Sequence, residues 1–380
     1  MLYPQELSAW TGTVSSQLPH LTRRQAAVLA AYSFAVMLTQ SSGISHVSYF
    51  LACLLRQREN TVRQRLREWL YDAQDKRGAR RRAVAVEQSF AALLRWVVRL
   101  WQSVDGDLVL ALDATTLRQT FTVLSVSVLV GRTAIPVAWA IVPATQAGAW
   151  KPHWRRLLRS LKGSTGHYRV LVTADRGLYA RWLFKDIVAC GWHPLLRISA
   201  IGSCLVCETG QRWSLAALSR QVRGGWWHGS VVCFSAKATL RCTLLVLWDE
   251  RQKDAWILLT DCPSQTVSPT WYGLRMWKEA GFKTLKSGAF HWQRTRMTDP
   301  ARAERLWLVL ALATLGSLTL ADFQFPRLPH YPRLSLVKRG ILFRLAAAIQ
   351  HASLPIPALY FPALPPSPLL EFIPLLKTYP

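Results

Sequence analysis

The chain has 380 residues, of which 47 are Lys or Arg and 21 are Asp or Glu, for a formal charge of +26. That length excludes a small disulfide-stapled scaffold and fits two or three domains with real cores. So large a positive excess, spread along the chain, goes beyond what solubility requires and implies a polyanionic partner, nucleic acid or an anionic membrane face.

The opening "MLYPQELSAW" carries an acid in place of a basic leader and has no apolar run, so no signal peptide is expected. Residues 1–105 read as a helical module. "LTRRQAAVLAAYSFAVML" starts with Thr22 as cap, and "NTVRQRLREWLYDA" starts with Asn60 or Thr61. The second helix presents Arg63, Arg65 and Arg67 and leads into the basic run 76–82, a surface suited equally to a duplex backbone and to water. Residues 26–55 and 306–321 lack charge, but "TQSSGISH" interrupts the first and the second is short for a bilayer, so both read as buried helices and no membrane partner is expected.

From Asp107 the period changes. "DLVLALDATT", "TFTVLSVSVLV" and "AIPVAWAIVP" are three strands; "WKPHWRRLLRSLK" is a helix, "YRVLVTADRG" a strand, "LYARWLFKDIVAC" a helix and "HPLLRIS" a strand. The order βββαβαβ describes an α/β domain with a mixed sheet. Residues 200–265 form a β-rich insertion with strands at "GSVVCFS", "LRCTLLVLWDE" and "AWILLTDC", before a helix that begins near Ser268. The expected segments are 1–105, 106–199, 200–265, 266–322 and a Pro- and Leu-rich tail, 323–380, with one short helix near 338–350.

Seven cysteines without framework spacing point to reduced thiols. Cys204 and Cys207 form a CxxC that Cys233 and Cys242 could complete as a zinc site, but the second pair lacks ligand spacing.

Asp113 lies inside an apolar strand and Asp175 ends another, positions where a carboxylate is costly unless paired or bound to metal. Both can face one crevice at the carboxyl ends of their strands, and two carboxylates with a third attract Mg²⁺ or Mn²⁺. Glu279 is the candidate third. In "WYGLRMWKEAGFKTLKSG" it is the lone acid among Arg275, Lys278, Lys283 and Lys286, and on one helix Tyr272, Arg275, Glu279 and Lys286 would share a face. An acid that binds metal, set among cations that hold phosphate, suits a phosphodiester lying against the ions; taken alone, the stretch reads sooner as an amphipathic helix with Glu279 in an exposed ion pair with Arg275 or Lys283.

The stretch resembles the Tyr-x2-Arg-x3-Glu-x6-Lys signature of DDE transposases from bacterial insertion sequences, in the group typified by insertion sequence four. "ALDATT", "TADRGL" and "AWILLTDCP" are similar to the segments around the first and second acids and the return from the insertion. The resemblance spans about 107–320. It implies an RNase H-like mixed-sheet core interrupted by the β-rich insertion, following a helical N-terminal DNA-binding domain. Asp113, Asp175 and Glu279 would hold two Mg²⁺ ions, with Mn²⁺ able to substitute, for DNA cleavage and strand transfer. Tyr272, Arg275 and Lys286 would hold phosphates near the cleaved end. Trp256 matches a base-stacking position, equally readable as core, with Trp226 and Trp227 as weaker rivals; Arg176 would contact DNA or form a local ion pair. Partners would be the terminal inverted repeats and target DNA, bound by at least a homodimer in the bacterial cytoplasm, on the nucleoid. The pattern departs from the family at Met276, after the signature arginine, and at Lys278, before the glutamate. Competing functions are a catalytically silent DNA-binding descendant and a basic membrane-associated protein.

Overall fold

The computed structural model describes residues 2–78, 81–103, 106–145, 150–234, 239–249, 252–319, 334–349 and 359–361. Part of the basic run (79–80) and most of the expected tail lie outside them. The chain opens with helices α1 (Leu2–Gln17), α2 (Arg23–Thr39), α3 (Ile44–Leu55), α4 (Glu59–Leu70) and α5 (Phe90–Leu100). Then come β1 (Trp101–Ser103), β2 (Asp107–Leu117), β3 (Phe121–Val130), β4 (Thr133–Pro143), α6 (Trp150–Leu161), β5 (Arg169–Ala174), α7 (Arg181–Ala189) and β6 (His193–Ile198). The β-rich segment holds β7 (Ser203–Val206), β8 (Arg212–Ser214), α8 (Leu215–Gln221), β9 (Trp226–Cys233), β10 (Leu240–Leu247) and β11 (Trp256–Thr260). After it stand α9 (Met276–Lys283), α10 (Pro300–Leu318), α11 (Leu336–Ile349) and β12 (Leu359–Phe361).

The described residues fall into two compact units: those of 2–102, 114–166 and 277–361, and those of 103–113 and 167–276. The N-terminal helices share the first unit with α10.

In the first unit, α2 begins with the expected Thr22 cap, completed as a capping box: Thr22 Oγ1 accepts the Gln25 N–H at 3.2 Å and Gln25 Oε1 accepts the Thr22 N–H at 3.0 Å. The helix is apolar on nearly every side and is accordingly buried from Leu29 to Leu38, Ala31 excepted. It packs on α10, buried from Arg305 to Leu318. No single described helix is long and apolar enough to cross a membrane; α2 and α3 pass together on length and composition, but they are bent by 104°. The expected cap of α4 is corrected: the helix starts at Glu59, whose carboxylate accepts from Ser48 Oγ, so Asn60 and Thr61 fall inside the first turn. An acid at that end is favoured by the helix dipole. Arg65 and Arg67 are exposed, while Arg63 turns back to Glu59 at 3.9 Å.

β3 and β4 form an antiparallel hairpin with a bulge at Val126/Ser127, and every residue of β3 is buried. Its two-residue turn, Gly131 and Arg132, has φ of 47° and 65°, the left-handed pair that matches strand twist. Helix α10 closes on this hairpin, with the Ile141 N–H donating to Glu304 Oε1 at 3.0 Å and Trp139 Nε1 to the Glu304 carbonyl at 3.2 Å.

The second unit carries the strand order β2-β5-β6-β11-β10-β9-β7-β8. The first three are parallel and the rest run antiparallel from β6 outward, as a βαβ unit followed by hairpins requires. The β-rich segment, expected as an insertion, thus continues the sheet that carries the acids.

Candidate active site

β2 and β5 are parallel with Leu112 opposite Ala174, so the next residues in register are Asp113 and Asp175, side by side at the carboxyl edge. Asp175 is fixed by the turn it caps, its Oδ1 accepting the Arg176 N–H at 2.7 Å.

Between them stands Arg275. Its Nη1 donates to Asp113 Oδ2 at 3.3 Å and its Nη2 lies 3.3 Å from Asp175 Oδ2, one guanidinium fork across two acids. Tyr272 adds a third contact, donating its hydroxyl to Asp175 Oδ1 at 3.2 Å. The pair converges because residues 269–275 form a 3₁₀ helix, begun by Ser268 capping the Thr270 N–H and by Pro269. At three residues per turn, Tyr272 and Arg275 are directly eclipsed.

Here the expectation of one uniform helix is corrected. The signature runs through three pitches: 3₁₀ for Tyr272 and Arg275, α for Glu279 in α9, and a π turn over Thr284–Gly288 for Lys286. Arg275 is committed to Asp113 and Asp175. Glu279 and Lys286 belong to the first unit. Glu279 is exposed in the first turn of α9, and Lys286 donates to Thr115 Oγ1, two residues beyond Asp113 along β2.

The electrostatics follow from these contacts. Burial alone would raise the Asp175 carboxyl, but Arg275, the Arg176 N–H, the Tyr272 hydroxyl and Arg197 hold it below its ordinary value. Burial pushes the Tyr272 hydroxyl up to about 12, so it remains a donor at neutral pH. For Arg275 burial works against the charge, and Tyr272 with the two acids more than offsets it.

Trp256 is buried, 9% exposed, with its ring edge-on to Tyr272 at a centroid distance of 5.0 Å. In this arrangement it is a wall of the site. Arg176 is exposed and lines a cleft of about 200 Å³ with Arg197 and Arg220. Trp226 and Trp227 are half-buried beside a separate cleft of about 540 Å³, with Trp213 and Arg223.

Sequence reasoning missed Arg197, which follows the apolar run Pro194–Leu195–Leu196 in β6, a break in pattern that could have revealed it. It also left Lys278 as a helix-surface cation. Lys278 is 1% exposed and donates its ammonium to Ser125 Oγ at 3.0 Å and to Ser127 Oγ in β3. No disulfide links the described cysteines. Among the described residues Cys204, Cys207, Cys233 and Cys242 do not bring three sulfurs within 4.8 Å of one another.

The acids that face Arg275 are hard oxygen donors, already gathered around one cation, and such a set suits Mg²⁺ or Mn²⁺. The family model "Transposase DDE domain" matches residues 105–315, more than half of the chain. No curated protein matches the chain. The chain belongs to the transposase DDE domain family.

Proposed function

We propose that this DDE transposase belongs to the group typified by insertion sequence four, cuts the ends of its element and joins them to target DNA by cut-and-paste, with Asp113, Asp175 and Glu279 as the three acids. The observation that carries the reading is the Arg275 fork between two acids 62 residues apart in sequence and adjacent in register. Its support in sequence is the spacing of Tyr272, Arg275, Glu279 and Lys286.

Asp113, Asp175 and Glu279 would hold two Mg²⁺ ions, or Mn²⁺. Bound there, the ions supply activation of water or of a 3′-hydroxyl and stabilisation of the leaving oxygen. The remaining work falls to the chain. Arg275 is permanently charged and offers a planar fork, so when the acids take metal it can turn to a phosphate oxygen. Tyr272 donates as a neutral hydroxyl, Lys286 supplies a point charge, and exposed Arg176 extends the contact along the backbone. Trp256 serves this site by holding Tyr272; its role as a base-stacking platform requires the ring to leave the wall it now forms.

The +26 charge supports a double-stranded DNA partner, the terminal inverted repeats and target, with the basic face of α4 as one contact. The N-terminal helices then act as the DNA-binding domain. Joining two ends calls for at least two copies on DNA, in the bacterial cytoplasm on the nucleoid.

The test is cleavage of end DNA by Asp113→Ala, Asp175→Ala and Glu279→Ala. Each abolishes Mg²⁺-dependent cutting and leaves binding nearly intact. Cutting at the wild-type rate by any one overturns the assignment, and a wild type that binds but never cuts favours a silent DNA-binding descendant.

A further inference from the structure

His193, Asp261 and Cys262 stand at the opposite end of the strands from Asp113 and Asp175. His193 opens β6, which is parallel to β5, and Asp261 and Cys262 follow the last residue of β11, antiparallel to β6. Extending that register past Ile257 opposite Ile198 and Leu259 opposite Leu196 brings Cys262 opposite His193. Leu171 lies opposite His193, so four residues of strand, about 13 Å, separate this edge from the acids along the strand direction.

We infer that His193 Nδ1, Asp261 Oδ1 and Cys262 Sγ form a binding site for a borderline-soft divalent ion, Zn²⁺ by the chemistry of its donors. One ligand atom from each residue lies within 4.8 Å of the other two, and Asp261 Oδ1 is 3.1 Å from His193 Nδ1 and 3.9 Å from Cys262 Sγ. Tetrahedral zinc with ordinary bond lengths requires edges of roughly 3.4 and 3.6 Å for those pairs. For both pairs the adjustment is only a few tenths of an ångström. One imidazole nitrogen, one carboxylate and one thiolate match zinc, while the sulfur disfavours Mg²⁺ and Ca²⁺.

The surroundings fit the assignment. The backbone at Cys262 is fixed, its N–H donating to Thr260 Oγ1 at 3.1 Å. The thiol itself is 3% exposed, whereas the His193 and Asp261 side chains are 36% and 27% exposed, so the site opens to solvent on one side. Three protein ligands with an open fourth position leave room for water or a donor from outside. Binding breaks the S–H bond of Cys262 and releases that proton to solvent; His193 gives up the Nδ1–H it directs at Asp261, takes the other tautomer with its proton on Nε2, and ligates through Nδ1. The ion would clasp the start of β6 to the end of β11, where the chain returns from the β-rich segment.

The full-length chain titrated with Co²⁺ as a zinc probe tests this. The expected result is one equivalent of tetrahedral cobalt with a thiolate-to-cobalt charge-transfer band, displaced by Zn²⁺. Cys262→Ser abolishes the band, and Asp261→Asn, a change at a half-exposed side chain, weakens Co²⁺ binding about tenfold or more. Asp113→Asn with Asp175→Asn leaves both intact, which separates this site from the proposed catalytic one. Absence of the band in the wild type, or its survival in Cys262→Ser as a signal from the other cysteines, overturns the proposal. Far-ultraviolet circular dichroism of the metal-free variants matches wild type if their loss is ligand loss; an unfolded Cys262→Ser transfers the decision to Asp261→Asn, whose unchanged Co²⁺ affinity overturns the site.

Discussion

Lys278 reaches Ser125 across 153 residues of sequence, its Nζ 3.0 Å from the serine Oγ in the buried interior of the hairpin β3-β4. It stands directly before Glu279, so the same helical turn is anchored inside by its lysine and presents its acid outside. The ammonium also lies 4.4 Å from the centre of the Phe282 ring.

Removing that anchor separates a packing cost from a charge cost. Lys278→Ala opens a cavity and destabilises the chain by about 2–4 kcal/mol. Lys278→Met keeps the volume and leaves Ser125 and Ser127, whose Oγ atoms are 3.3 Å apart, to pair with each other; it costs about 1 kcal/mol or less. Urea denaturation of the two variants reads the difference, and equal losses would contradict this account of the site.

The Asp175 carboxyl is held below its ordinary pKa, so the folded state binds its proton less readily than the unfolded chain. The stability this contributes is fully present above the unfolded carboxylate pKa and is lost as pH falls through the lower folded value. Thermal melts from neutral to acid pH show that decline in wild type and a shallower one in Asp175→Asn. Arg275→Ala raises the Asp175 pKa, visible in an NMR titration of its side-chain carboxyl; an unchanged value would mean that the fork does not govern the acid.

Trp256→Ala removes the wall behind Tyr272. Loss of a buried indole costs about 3–5 kcal/mol, and the freed Tyr272 no longer holds Asp175. All steps of end processing should slow together by a similar factor, measured on nicked and intact end DNA. Selective loss of a hairpin step, with first-strand nicking preserved, would instead return Trp256 to base stacking.

Gly281 in α9 sits against β4. A Cβ placed there would lie 2.9 Å from Ala134 Cβ and 3.1 Å from the Ala134 backbone nitrogen and oxygen. Because backbone has little room to give, Gly281→Ala lowers stability by about 1–3 kcal/mol despite alanine's better helix propensity. A rise in Tm would contradict the close approach.

The strands and helices from Asp107 to Ile198 were legible because each carried its own period and turn signals, and the Thr22 cap was legible because its partner is local. The convergence of Asp113 and Asp175 followed from strand-end logic. The changes of pitch between Tyr272 and Lys286 were not readable, since spacings of three, four and seven fit 3₁₀, α and π turns alike over so short a stretch. Lys278 was misread because the serines that satisfy it belong to a distant strand. His193 and Cys262 are neighbours by strand register, which local sequence does not display. The short β7, β8 and α8 fell below the length at which periodicity speaks.

The guanidinium between Asp113 and Asp175 acts as an internal counterion. A newly made chain can bring these two strand ends together with their repulsion already neutralised, whatever the supply of dissolved divalent cations. Maturation of this part of the molecule is thereby uncoupled from its later encounter with ions and substrate.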